Sequence, residues 1–79
     1  MRISIKLFGT FRQRFSDYDI EKGLIVEISD GARVKDLLAH LEISESDGGI
    51  VAMEGKVADP EDELDDGASV RILQLAHGG

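Results

Sequence analysis

The 79-residue sequence contains no cysteine and no tryptophan, a single proline, three phenylalanines and one tyrosine. Without cysteine, disulfides, thiolate metal sites and a protein-borne thiol nucleophile are all excluded. A domain this small that holds together without disulfides is expected in the cytoplasm. Cations are also scarce: nine Lys and Arg stand against sixteen Asp and Glu, a net charge of −7. That balance argues against nucleic acid and anionic membrane as partners, since both select basic surfaces. It is compatible with a basic protein partner, where charge would speed encounter more than tighten binding. No apolar run approaches the roughly 20 residues that cross a bilayer. The opening Met1-Arg2-Ile3-Ser4-Ile5-Lys6 alternates apolar with polar and has no signal-peptide core. A glycine-rich phosphate loop of the Walker type is missing too, so the chain is not expected to bind ATP alone.

What is present is the balance of a globular domain, with 42% hydrophobic and 32% charged residues. At this length one domain and one small core are expected. Ile3, Ile5 and Leu7 recur at every second position, the signature of a half-buried strand that ends at Phe8-Gly9. Phe11 and Phe15 follow at a spacing of four, which predicts a short helix capped by Thr10. Ser16 to Asp19 reads as loop. Leu24 to Ser29 is predicted as a second strand, with Leu24, Val26 and Ile28 on one face. Val34, Leu37, Leu38 and Leu41 then fall at i, i+3, i+4 and i+7, an amphipathic helix. Arg33 is a poor cap for it, and Asp36 in the first turn partly compensates through the helix dipole.

Ile50 to Met53 and Lys56-Val57 read as short strands around a tight turn at Glu54-Gly55. Asp59 to Asp66 is an acidic loop anchored by Leu64, and Ser69 to Leu75 is the last strand. In that strand Val70 and Ile72 share one face, and Arg71, Leu73 and Leu75 share the other. The first two strands are expected to pair as a hairpin with a long connection, and the last strand to pair beside the first. The fold class is therefore α+β. A mixed sheet of about four to five strands packs on one main helix, with a short extra helix after the first strand: a ubiquitin-like β-grasp. The domain spans residues 1–75, and residues 76–79, Ala76-His77-Gly78-Gly79, are expected to form a flexible tail.

Two glycines at the very end arise by chance in about one chain in two hundred. They lack Cβ atoms, so their backbone can enter a narrow channel and approach a bound nucleotide. An extended four-residue tail reaches roughly 13 Å. His77 has no orienting partner in sequence and reads either as a base or as a tolerated side chain. His40 is expected on the solvent face of the helix, and two separated histidines do not make a metal site. Leu73 and Leu75 either belong to a partly covered strand or join Phe8 in an apolar docking patch, with Arg71 beside them to pair with acids. Asp59, Glu61, Asp62, Glu63, Asp65 and Asp66 form either a solvated loop or a docking surface, and their spacing is not that of an EF-hand.

Several segments, taken in order, carry a resemblance: Ile5-Lys6-Leu7-Phe8-Gly9-Thr10-Phe11-Arg12, Gly31-Ala32-Arg33-Val34-Lys35-Asp36-Leu37-Leu38, Leu64-Asp65-Asp66-Gly67-Ala68-Ser69-Val70 and the final Gly78-Gly79. Through them the chain resembles the MoaD/ThiS family of ubiquitin-like sulfur carriers, and the stretch after the first strand is closer to the MoaD branch. Arg33 and Glu54 depart from the family's usual helix cap and turn residue. The resemblance implies a carrier, not an enzyme. The Gly79 carboxylate would be adenylated by a ubiquitin-activating-type adenylyltransferase (MoeB/ThiF-like) and converted by a sulfur donor to a thiocarboxylate. Gly78, His77 and Ala76 would insert with it. Phe8, Arg71, Leu73 and Leu75 would dock the partner. No cofactor would be bound by this chain, ATP and its metal being used by the adenylyltransferase. The sulfur would pass to a large synthase subunit (MoaE-like) in molybdenum or tungsten cofactor biosynthesis, or to another acceptor enzyme. Alternatives are a ThiS-like carrier for thiamine or another thiolation pathway, a protein modifier conjugated through Gly79, and an interaction module with an accidental Gly-Gly end.

Overall fold

The computed structural model describes residues 1–15, 18–19, 21–44 and 48–74. Strand β1, Arg2–Leu7, buries Ile3, Ile5 and Leu7 to 1% exposure or less, as the alternation requires. Strand β2, Leu24–Glu27, pairs with it antiparallel, Ile3 opposite Val26 and Ile5 opposite Leu24. Helix α1 is Val34–His40, strand β3 Gly49–Met53, strand β4 Lys56–Val57 and strand β5 Ser69–Gln74. The sheet order is β2-β1-β5-β3-β4, with β5 parallel to β1 and antiparallel to β3. This is the expected mixed sheet with the last strand beside the first.

The core lies between one sheet face and α1. Val34, Leu37 and Leu41 come from the helical stripe, Val26, Val51, Val70 and Ile72 from the strands, and Leu64 from the acidic loop. Leu64 is 4% exposed, so the anchor predicted for that loop is in place. Main-chain bonds secure the loop further: the Val34 and Lys35 amides donate to the carbonyls of Asp62 and Pro60.

Several local expectations are corrected. The turn after β1, Gly9–Arg14, is a 3-10 helix, and Thr10 lies inside it. Phe8, in extended conformation, occupies the cap position, and no side chain caps the turn. Gly9, at φ +69, swings the chain out of β1. Phe11 then drops into the core, fully buried, while Phe15 is extended and packs against the core's edge. Strand β2 proper ends at Glu27, but its pairing runs one residue further: the Ile28 amide donates to the Met1 carbonyl and the Met1 ammonium to the Ile28 carbonyl, at 2.9 and 2.8 Å. Strand β3 begins one residue early, at Gly49. Arg33 has only donors and cannot cap a helix N-terminus. Asp36 supplies the missing function by accepting the Arg33 amide at 2.8 Å. Glu54 and Gly55 have φ of 52 and 77, so both turn residues are left-handed, as a two-residue type I′ hairpin demands.

Candidate functional site

The registers place the non-core face of the sheet in rows. Phe8 leaves β1 in extended conformation, and its amide donates to the Ile72 carbonyl at 3.0 Å. One step beyond the Leu7–Ile72 pair, it stands beside Leu73, which faces Ile50 on β3. Phe8 and Leu73 are 40% and 38% exposed. Side chains two residues apart on a strand share a face, so the next row is Lys6, Arg71, Ala52 and Val57, and the one after it Ile25, Ser4 and Ser69. Three of the predicted docking residues, Phe8, Arg71 and Leu73, therefore share one surface. Leu75, Ala76, His77, Gly78 and Gly79 lie outside the described residues.

Lys6 is the residue that sequence reasoning missed. Alternation alone turns it away from the core, but only the parallel register of β1 and β5 sets it against Arg71. Among the described residues neither cation pairs with an acid. This face is thus locally positive in a chain of net charge −7. The acidic loop is largely occupied with its own neighbours. Glu61 pairs with Arg33 and Lys35 at 3.2 and 3.0 Å. Asp59 and Asp62 accept loop amides, and Asp66 accepts the Arg2 amide at 2.8 Å. These contacts favour the solvated loop over the docking surface.

The end of β5 is held on both sides. Gln74 pairs with Gly49 on β3, and its side-chain oxygen accepts both the Thr10 amide and the Thr10 hydroxyl at 2.8 Å. No three His, Asp or Glu side chains come together to hold a metal among the described residues. His40 is exposed on α1, as expected. A groove of about 630 Å³ runs between α1 and the β3–β4 edge, lined by Leu38, Ile43 and Val57 among others. It adjoins the rows just described at the β3–β4 edge, where Ile50 and Val57 line it.

A sequence model of the ThiS family matches residues 5–79. The chain belongs to the ThiS family. This is a family of small ubiquitin-like sulfur carriers and modifiers, and the match runs through the terminal Gly78-Gly79. Among solved structures, a Pyrococcus furiosus protein assigned as molybdopterin converting factor, subunit 1, superposes with a TM-score of 0.75 at 22% identity, covering 95% of this chain and 98% of its own. The small archaeal modifier protein 1 of Haloferax volcanii superposes with a TM-score of 0.74 at 16% identity, with the same coverages. At these identities the likeness shows the ubiquitin-like β-grasp fold. None of the curated proteins compared gives a significant match. Among the described residues of this ThiS-family chain, no helix is long and apolar enough to cross a membrane.

Proposed function

We propose that this chain is a cytoplasmic sulfur carrier whose Gly79 carboxylate is activated by a partner and then carries sulfur. The observation that carries the reading is a ThiS-family match extending to residue 79 on a domain whose last strand, β5, lies inside the sheet beside an apolar, cationic face. A carboxylate is a poor electrophile, so it must be activated. Its oxygen attacks the α-phosphorus of ATP, pyrophosphate leaves, and a mixed anhydride with AMP forms at Gly79. Hydrosulfide, or an equivalent sulfur donor, then attacks the carbonyl carbon and expels AMP, leaving a thiocarboxylate. A MoeB/ThiF-like adenylyltransferase supplies the nucleotide site and metal. A MoaE-like large subunit receives the sulfur, which places the chain as a small, non-catalytic subunit in molybdopterin biosynthesis. The likeness to the Pyrococcus furiosus molybdopterin converting factor subunit supports that pathway, and the likeness to the Haloferax volcanii modifier supports conjugation through Gly79 as the second reading.

Intact mass spectrometry after incubation with ATP, such an adenylyltransferase and sulfide tests the reading. A mass gain equal to the exchange of one oxygen for sulfur, mapped to Gly79 and lost when Gly79 is deleted, is the expected result. Retention of the gain after the deletion would refute it. Chain-containing conjugates of higher mass in cell extracts would favour the modifier.

A further inference from the structure

The β1 side of β5 stops short of the strand's end. Its last ladder bond runs from the Phe8 amide to the Ile72 carbonyl. Gly9 then turns away at φ +69, which leaves Gln74 without a backbone partner on that side among the described residues. The gap is closed by a side chain. The Gln74 amide oxygen has two lone pairs, and both are used, by the Thr10 amide and the Thr10 hydroxyl at 2.8 Å each. Gly9 makes the approach possible. A Cβ there would sit 2.6 Å from the Gln74 side-chain oxygen and 3.0 Å from its Cβ, so any other residue would displace Gln74. On the other side Gln74 pairs with Gly49.

We infer that Gln74, gripped by Thr10 across Gly9, is a positioning residue that fixes the end of β5 from which the chain continues to Gly79 and so sets the rate at which the Gly79 carboxylate is activated. The inference rests on the carrier reading above. Val70, Ile72 and Gln74 share the core-side face by alternation, whereas Phe8, Arg71 and Leu73 share the opposite face. Loosening Gln74 therefore leaves the docking surface intact and changes only the delivery of the tail. A docked carrier presents its carboxylate intramolecularly, and misdirection lowers the effective concentration of the reacting group, not the affinity of the globule.

The test compares wild type with Gln74→Met, which keeps length but has no oxygen acceptor, and Gln74→Glu, whose carboxylate can accept both bonds. Adenylation is followed by pyrophosphate release with a ThiF-class adenylyltransferase at saturating ATP. Gln74→Met should lower kcat about fivefold to tenfold with KM within about twofold, and Gln74→Glu should restore kcat to within about twofold of wild type. An unchanged kcat for Gln74→Met, an equally slow Gln74→Glu, or an effect on KM alone would overturn the assignment. If the wild-type chain is not adenylated, the carrier reading fails. The clamp is then judged by amide exchange at Thr10, which should quicken about tenfold in Gln74→Met, and by the NMR order parameter of residue 75, which should fall. No change in either would overturn it.

Discussion

Leu37 and Leu73 allow one substitution to be made on opposite sides of the same framework. Leu37 sits on α1 with 0% exposure, packed in the core, whereas Leu73 sits on the outer sheet face with 38% exposure. Truncating Leu37 to Ala removes side-chain burial and leaves a cavity that neighbours fill only in part, at a cost of about 2–5 kcal/mol. Truncating Leu73 removes partial burial at an open surface where no cavity can form, for about 1 kcal/mol. At about 0.05–0.15 kcal/mol per residue, 79 residues give about 4–12 kcal/mol in total. Leu37→Ala therefore removes a large fraction of the stability and Leu73→Ala a small one. With a urea slope of about 1 kcal/mol per molar, the midpoint should fall by about 2 M or more for Leu37→Ala and by about 1 M for Leu73→Ala. Tail activation should show the reverse order. Folded Leu37→Ala should dock normally, and Leu73→Ala should raise KM with the adenylyltransferase about threefold to fivefold, the loss of roughly 1 kcal/mol of apolar burial at the contact. Equal losses of stability, or a KM insensitive to Leu73, would refute the division of the sheet into a folding face and a docking face.

Reversing both cations of the outer face, Lys6→Glu with Arg71→Glu, should slow association with the partner about tenfold at low ionic strength, with the difference shrinking as salt rises. Stopped-flow binding at several salt concentrations measures this, and a salt-independent effect would point away from charge steering. Glu54→Asn should raise stability by about 0.5–1 kcal/mol, because Asn tolerates the left-handed φ of 52 better than Glu does. A urea midpoint that does not rise would mean that Glu54 makes a compensating contact.

Periodicity made the framework readable. The alternation at Ile3, Ile5 and Leu7 and the helical stripe at Val34, Leu37, Leu38 and Leu41 each identify an element and its buried face, because each is a local consequence of backbone geometry. Errors fell where local spacing has two solutions. The short helix expected from Phe11 and Phe15 is there as a 3-10 turn, Gly9–Arg14, but Phe8 and not Thr10 holds its cap position and Phe15 follows it as an extended residue. The outer face was half legible. Phe8, Arg71 and Leu73 were recognisable as residues pointing away from the core, whereas Lys6 beside Arg71 and Thr10 on Gln74 depend on pairing across more than 60 positions. No sequence window contains that information.

The parallel pairing of β1 with β5 also ties the proposed docking face to the end of β5. Because the two strands run in the same direction, Phe8 and Leu73 reach the same end of the sheet together, and the chain that continues past Gln74 starts from that end. An antiparallel arrangement would put the end of β5, and Leu73 with it, at the Arg2 end of β1 and leave Phe8 at the far end of the sheet. In the parallel one, a partner that covers Phe8 and Leu73 already adjoins the root of residues 75–79. On the proposed carrier reading, affinity for the globule and access to the Gly79 carboxylate are thus coupled by topology.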